Sequence, residues 1–324
     1  MRGILLILLL GFGLTQPVVA QKRYGLNKRI DSFLTARYQR ANIDTAYVIR
    51  PKTKWTLTAR LNMSGSLIEA EGREQGHHYK SSMESDYKST LSIGVSYLGL
   101  SLNLSLNPAK ILGKYDDYEL NFRSYGKRFG FDIAYQDADD FKGWHDSELE
   151  GHIELPQNML KLRTLNVNGY FIFNHRKFSY PAAFAHSYIQ RRSAGSFMIA
   201  ASGQGQHGEV SGDYPMDFKM TNIGIGAGYG YNYVPAKGWL LHISALPTFI
   251  VYSKTSLTIK DNKIPLDYHF PEVIITSRGA VVKQFGNKFA GISMVYNFTN
   301  IGDKDNLAVF NQKWLARVYF GLRL

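Results

Sequence analysis

The chain is 324 residues long, 44% hydrophobic and 20% charged, with no cysteine and a formal net charge of +12. A disulfide scaffold, a thiolate zinc site, a cysteine nucleophile and a lipidated cysteine are thereby excluded, and the apolar fraction is too high for intrinsic disorder. The length admits one large domain or two ordinary ones.

In chain order, Arg2 precedes an apolar run from Ile4 to Leu14 and an exit segment ending Val18-Val19-Ala20. A basic start, a short apolar stretch and a small-residue end predict a secretory signal peptide over residues 1–20. The run is too short for a membrane anchor, which needs about 20 residues. Residues 21–54 follow as a basic lead-in. Ile30, Phe33, Leu34, Arg37 and Tyr38 recur at helical spacing with Asp31 near the start, and Asp44 to Pro51 lead into the first strand.

From Trp55 onward the pattern has period two. Trp55, Leu57, Ala59, Leu61 and Met63 alternate with Thr56, Thr58, Arg60, Asn62 and Ser64. Leu100, Leu102, Leu104 and Leu106 alternate with Ser101, Asn103 and Ser105, and Phe129, Phe131, Ile133 and Tyr135 with Gly130, Asp132 and Gln136. A helix would show period 3.6. The alternation predicts twelve strands, at 55–66, 87–98, 99–106, 117–125, 128–136, 160–173, 194–202, 219–232, 238–252, 272–285, 287–298 and 313–324. Their lengths suit transmembrane strands with apolar side chains outward and polar ones inward.

The connections alternate as well. Those at 67–86, 107–116, 137–158, 203–218, 253–271 and 299–312 are long and are expected to be outer loops. Those near Leu98-Gly99, Gly126-Lys127, Val234 to Lys237 and Gly286 are tight turns, expected at the periplasmic side. Trp55, Tyr97, Tyr233 and Trp239 fall at the turn ends of strands on the apolar face, where an aromatic girdle would sit. The last strand alternates to the final residue, Leu324.

Charge is segregated. Residues 22–54 carry nine basic and two acidic residues, and residues 174–193 carry Arg176, Lys177, Arg191 and Arg192 with no acid. The long connections hold 20 acids against 9 bases, while the strands and tight turns hold 15 bases against 4 acids. That distribution, behind a signal peptide, argues against nucleic acid as a partner. Arg60, Glu119, Arg123 and Asp132 share the polar parity and are expected to form a charge cluster in the lumen. An excess of base there would favour anions.

One tight connection is replaced by the twenty residues Asn174 to Ser193, which are aromatic and basic. Phe178, Ser179, Tyr180, Pro181, Arg191 and Arg192 mark it as a candidate plug. Its expected seat is the glycine lane Gly224, Gly226, Gly228 and Gly230. These glycines are spaced by two with no following helix, so a nucleotide-binding loop is excluded, and curvature or close packing is the remaining reading. His242 and Ser244 share one face, as a serine hydrolase requires, but no third group is assignable. No catalytic residue, metal site or cofactor is therefore expected. His145, Asp146, Glu148 and Glu150 are read as solvated loop charge.

The stretches Asp44 to Val48 with Lys54 to Leu57, Leu91 to Lys110, Glu119 to Asp132 and Lys177 to Ser196 resemble an uncharacterised outer-membrane family of Bacteroidota, the domain-of-unknown-function family 4421. The resemblance covers nearly all of the mature chain and implies an outer-membrane barrel, with no activity or ligand attached. The expectation is an all-β antiparallel transmembrane barrel over residues 55–324, in the outer membrane of a Gram-negative bacterium and surrounded by its lipid. Its expected role is a narrow or plugged channel favouring anionic solutes. The alternatives are a barrel that docks a periplasmic protein through its basic inner face and, third, a membrane-embedded lipid hydrolase.

Overall fold

The computed structural model describes residues 32–33, 35–36, 42–74, 76–97, 100–108, 118–211, 215–259, 262–264, 271–303, 305 and 307–324. Two units are distinguished, Met1–Asn42 and Ile43–Leu324. In the first, Ser32, Phe33, Thr35 and Ala36 are helical, inside the stretch of helical spacing. The expected signal peptide lies outside the described residues.

The second unit runs β1 (Val48–Ile49), β2 (Trp55–Glu74), β3 (His77–Ser85), β4 (Lys88–Tyr97), β5 (Leu100–Leu106), β6 (Tyr118–Tyr125), β7 (Phe129–Ala138), β8 (Phe141–Ser147), β9 (Gly151–Leu155), β10 (Leu160–Ile172), α1 (Tyr180–Phe184), β11 (Ile189–Gln190), β12 (Ala194–Val210), β13 (Met216–Tyr233), β14 (Trp239–Ile259), β15 (Asn262–Ile264), β16 (Val273–Phe285), β17 (Lys288–Asp303) and β18 (Leu307–Arg323). The main path is β5-β4-β2-β18-β17-β16-β14-β13-β12-β10-β7-β6, antiparallel throughout. These are the twelve strands that the alternation marks. Among the described residues β5 and β6 do not pair, so the sheet is open there.

The sheet is inside out relative to a soluble sandwich. Along β2, Thr56, Thr58, Asn62 and Ser64 are buried while Trp55, Leu57, Leu61 and Met63 are exposed. The same inversion holds along β13, where Asn222 is buried and Ile223 and Ile225 are exposed. A charge on the outward face would cost about 2–4 kcal/mol at the middle of a bilayer, which accounts for its absence from these stripes. Trp55, Tyr97, Tyr233 and Trp239 lie at one end, and Trp55 and Tyr97 pack with centroids 4.6 Å apart.

Side-chain contacts show that the sheet curls so that its polar face looks at itself. Arg278 on β16 bonds Asp132 on β7, five places away along the path. Lys313 Nζ on β18 donates to Gln136 Oε1 on β7 at 2.5 Å, seven places away. Such pairs meet only across a concave interior, which makes the sheet a barrel wall.

The expectation that the long connections are loops is corrected at five of them: β12 runs on to Val210 and β13 starts at Met216, β14 runs on to Ile259, and β17 ends at Asp303 with β18 starting at Leu307, while the other two form a ribbon. Residues 67–86 form a hairpin in which β2 runs on past Ser66 and pairs with β3, and 137–158 supply β8 and β9, which extend the same ribbon. Their alternation is polar on both faces, so no apolar stripe marks them, and backbone pairing alone sets them. His145, Asp146 and Glu148 are held within this ribbon: His145 Nδ1 meets Ser81 Oγ at 2.7 Å, Asp146 Oδ1 meets His152 Nδ1 at 2.7 Å, and Glu148 Oε2 accepts from His78 N at 3.1 Å.

Candidate functional site

The candidate site is the segment between β10 and β12, residues 173–193, and the wall it lies against. The local sequence explains its fold. Asn174 starts a turn whose carbonyl accepts from Lys177 N at 3.2 Å and Phe178 N at 2.9 Å. Ser179 is extended and caps α1, its Oγ accepting from Ala182 N at 3.2 Å. Pro181 stands in the first turn, where a missing N–H costs nothing. The helix ends after five residues, and His186 then takes a left-handed conformation, φ 57°.

Phe178, Ser179, Tyr180, Pro181, Ala182 and Ala183 are all buried. The helix touches β6, β14 and β16, strands from opposite parts of the path, so it bridges the interior. Its rings meet Tyr125, Tyr170 and His242: Tyr180 lies 5.0 Å from Tyr170 and 5.0 Å from His242, and Phe184 lies 5.3 Å from Tyr125 and 4.9 Å from His242.

A chain of hydrogen bonds fixes the segment to the wall. Asn232 Nδ2 donates to Ser179 O at 2.9 Å and to Gln190 Oε1 at 3.0 Å. Those two acceptors orient the amide, so Asn232 Oδ1 accepts from His242 Nδ1 at 2.6 Å. His242 Nε2 must then accept, and it does so from Ser244 Oγ at 3.0 Å. Tyr180 OH completes the run by donating to Ser244 Oγ at 2.7 Å. Gln190 Nε2 donates to Lys177 O at 2.6 Å and to Arg192 O at 2.9 Å, and Gln190 Oε1 accepts from Ser179 N at 3.1 Å. At the far end Arg323, itself buried, donates through Nε and Nη2 to His186 O at 3.3 and 3.1 Å and through Nη1 to Gln284 at 2.6 Å. The His186 ring lies tilted against Phe289 and Tyr319, with centroids 4.3 and 4.5 Å away. Burial, with Arg60 and Arg323 near, holds this imidazole neutral, well below its usual pKa.

Chemically, Ser244, His242 and Asn232 have the order of an acyl-transfer triad, with hydroxyl to Nε2 and Nδ1–H to an orienting carbonyl oxygen. Asn232 is the third group that the sequence left unassigned. It stands directly opposite His242 in the β13–β14 register. The hydroxyl of Ser244 is buried and capped by Tyr180.

The lumen cluster is partly as the parity predicts. Arg123 Nε lies 3.8 Å from Asp132 Oδ1, and Arg60 acts on Arg123 and Tyr125 from β2. The Glu119 side chain lies outside the described residues. The dominant partner of Asp132 is Arg278, which sequence reading missed although it sits at polar parity in its strand; its guanidinium also faces the Tyr170 and Tyr180 rings at 5.8 and 5.9 Å. Lys88 and Asp140, both buried and 3.4 Å apart, form a second pair that was missed.

The glycine lane divides. A Cβ on Gly230 would stand 3.0 Å from Phe178 Cζ and Met198 Cε, so this glycine does lie under the segment. On Gly226 and Gly228 a Cβ would lie 2.1 and 2.0 Å from the Pro247 and Ala245 carbonyl oxygens of β14, and at Gly224 it would meet β12 and β14 atoms. Those three serve close strand approach beside the bulge at Ile223/Gly224 and do not touch the segment. Arg191 and Arg192 are exposed and stand apart from the buried part. Arg191 N donates to Tyr47 O at 2.7 Å, and Arg192 lies over the Tyr47 ring at 6.0 Å, beside the small β1–β11 sheet.

One group of metal-ligating types comes together among the described residues, His207, Glu209 and Asp217. Its members already pair with one another and with Lys219 and Arg163: His207 to Asp217 is 2.8 Å, Lys219 to Asp217 3.2 Å and Arg163 to Glu209 3.9 Å.

The family described as Domain of unknown function (DUF4421) matches residues 42–323. The chain belongs to this family. No curated protein matches it. Among solved structures, the DUF4421 chain is similar to the outer membrane protease OmpT from Escherichia coli, at 7% identity and a TM-score of 0.44, over 84% of this chain and 97% of that one. It is similar to the outer membrane protein OprG from Pseudomonas aeruginosa, at 7% identity and 0.29, over 84% and 97%. It is also similar to the translocator domain of autotransporter NalP from Neisseria meningitidis, at 9% identity and 0.27, over 94% and 98%. No residue role transfers to the DUF4421 chain at these distances.

Proposed function

We propose that this chain is an outer-membrane barrel whose lumen is plugged by residues 173–193, and that displacing the plug opens a narrow path favouring anionic solutes. The carrying observation is the buried hydrogen-bond chain from Tyr180 through Ser244, His242 and Asn232 to Gln190, which ties a non-strand segment to the inner wall. A buried helix tied to the wall by this run of hydrogen bonds fits a dedicated obstruction, since a mere turn between β10 and β12 needs only a few residues. Arg60, Lys88, Arg123, Arg278, Lys313 and Arg323 outnumber Asp132, Asp140 and Glu272 on the polar side of the sheet, which supports selectivity for anions. Planar-bilayer recording tests this. Wild-type protein should be silent or rarely open, and a chain lacking residues 178–189 should conduct with preference for chloride over potassium. A freely conducting wild type, or cation preference in the deletion, refutes it.

A second reading, docking of a periplasmic protein, is favoured by the lead-in, which is pinned to the plug: Asp44 N donates to Arg176 O at 3.0 Å and β1 pairs with β11. Deleting residues 22–50 should then remove a captured partner and leave the barrel folded. The triad-like geometry at Ser244 keeps a hydrolase in view as a third reading. Unchanged lipid turnover in Ser244→Ala protein would remove it.

A further inference from the structure

Three separate pieces of chain bring positive charge to one place at the plug end of the barrel. The tight turn between β6 and β7 supplies Lys127 and Arg128, the start of the plug supplies His175 and Arg176, and the exit from β1 supplies Arg50. The backbone holds them there: Ile172 N donates to Arg128 O at 2.8 Å, and Asp44 N donates to Arg176 O at 3.0 Å. The charged groups that bear on Lys127 are Arg50, Arg128 and Arg176, all cations, and those that bear on His175 are Arg128 and Lys127.

Lys127 Nζ is buried and has no hydrogen-bond acceptor. Burial and its three cationic neighbours push its pKa down to about 8. A buried ammonium without an acceptor is costly. His175 donates through Nδ1 to Phe173 O at 3.0 Å, so its Nε2 lone pair is free to accept, and it accepts from Arg128 Nη2 at 3.1 Å. Burial and the neighbouring cations hold the imidazole below its usual pKa, which keeps it neutral and able to orient the guanidinium. An arginine aimed by a neutral histidine, beside an ammonium with three unused protons, matches a tetrahedral oxyanion.

We propose that Lys127, Arg128 and Arg176, with Arg50 beside them and His175 aiming Arg128, bind a phosphate group. The proposal stands whether or not the plug moves. The phosphate can belong to a soluble ion or to a phospholipid headgroup. The second source has access, because Phe129, Phe171 and Phe173 cluster at the same end with centroids 5.0 Å apart in each adjacent pair, and Phe129 and Phe173 are exposed on the outward face.

The test uses the full-length chain folded in an uncharged detergent at fixed ionic strength. Inorganic phosphate is titrated in one arm and mixed micelles containing phosphatidylglycerol in the other, both by calorimetry. Saturable binding is expected in at least one arm, at least tenfold weaker in Lys127→Met and in Arg128→Gln, and unchanged in Lys237→Met, a basic residue of another tight turn. Binding in the phosphate arm identifies a soluble oxyanion, and binding in the lipid arm alone identifies the headgroup. As a second readout, isotope-labelled dimethylation of Lys127 should report a pKa that rises when the probe saturates. Absence of binding in both arms, or wild-type affinity in both variants, overturns the proposal.

Discussion

Replacing Asn232 by alanine tests the docking network at its centre. Asn232 is fully buried and joins the β13 wall to both ends of the plug. Alanine leaves the Ser179 carbonyl with its longer bond from Ala182 N at 3.3 Å alone and the His242 Nδ1–H without its acceptor, while Gln190 Oε1 keeps Ser179 N. A buried group left unpaired costs about 1–3 kcal/mol and a bond lost from an acceptor that keeps another donor about 1 kcal/mol, so about 3 kcal/mol is a reasonable total. At 1.4 kcal/mol per decade that raises the undocked population about 100-fold. Native-state hydrogen exchange read by mass spectrometry is the assay. Peptides covering 174–193 should lose about 100-fold of protection, with Ser179 and Arg191 amides foremost, while peptides from β12, β13 and β14 keep theirs. Unchanged exchange in the segment would refute the role of Asn232. Equal loss across the three strands would also refute the reasoning, because the network would then hold the wall together and not the plug.

Three further outcomes follow from the same geometry. Gly226→Ala places a Cβ 2.1 Å from a backbone oxygen and should sharply reduce the folded yield, whereas Gly230→Ala needs only side-chain adjustment at 3.0 Å and should cost about 1 kcal/mol by heat-shift of the folded band; equal effects would contradict the division of the lane. His186 is neutral in the docked plug and has its pKa lowered, so the undocked form takes up a proton first as pH falls below about 6.5. Docking should therefore be complete above that pH and weaken below it, by up to ~1.4 kcal/mol per pH unit, seen as faster tryptic cleavage at Lys177 at pH 5.5 than at 7.5; a His186→Phe chain should show a weaker trend, the remainder coming from His242, which the same segment covers. Asp132→Asn leaves the Arg278 guanidinium uncompensated and should destabilise the barrel by about 3–5 kcal/mol, with recovery when Arg278→Met is added; a double variant no more stable than the single one would show that the pair does not couple.

What the sequence made legible was whatever a single strand carries by itself. Alternation identifies the twelve main strands because a lipid-facing stripe must be continuous and the opposite stripe must be polar. Arg123 and Asp132 were readable as inward residues for the same reason. Their partner Arg278 was not, because nothing in one strand says which distant strand it faces once the sheet curls. Asn232 was hidden by its surroundings. It ends the glycine lane at the correct parity, two residues after Gly230, and stands opposite His242, but only the β13–β14 register brings the two together. The helix α1 has five residues, too few to show a period. The ribbon β3-β8-β9 was missed because strands polar on both faces lack the alternation that reveals the others.

The plug and the basic mouth have a common structural origin. A barrel of this topology needs only a short turn between β10 and β12, and the chain places residues 173–193 there instead. Those residues divide by chemistry. Phe178 to Phe184 are uncharged and turn inward, where Gly230 leaves room and Ser244, His242 and Asn232 supply partners. His175, Arg176, Lys177, Arg191 and Arg192 stay at the mouth, where Lys177 and Arg192 cover the Tyr47 ring at 5.0 and 6.0 Å and β1 pairs with β11. Residues 44–49 are thereby fastened to the part of the segment that shows at the surface, and Tyr47 also packs against the buried cluster that holds Phe178 and Tyr180. A load applied to residues 42–50 would reach α1 through Gln190, whose side chain bonds the backbone on both sides of the helix and Asn232 in the wall. An anion held by Lys127, Arg128 and Arg176 would stiffen that connection, since it would tie the β6–β7 turn to the start of the plug. Residues 44–49 and the segment before β12 are thus joined in series, and Gln190 is one link through which a load on the first would reach the second.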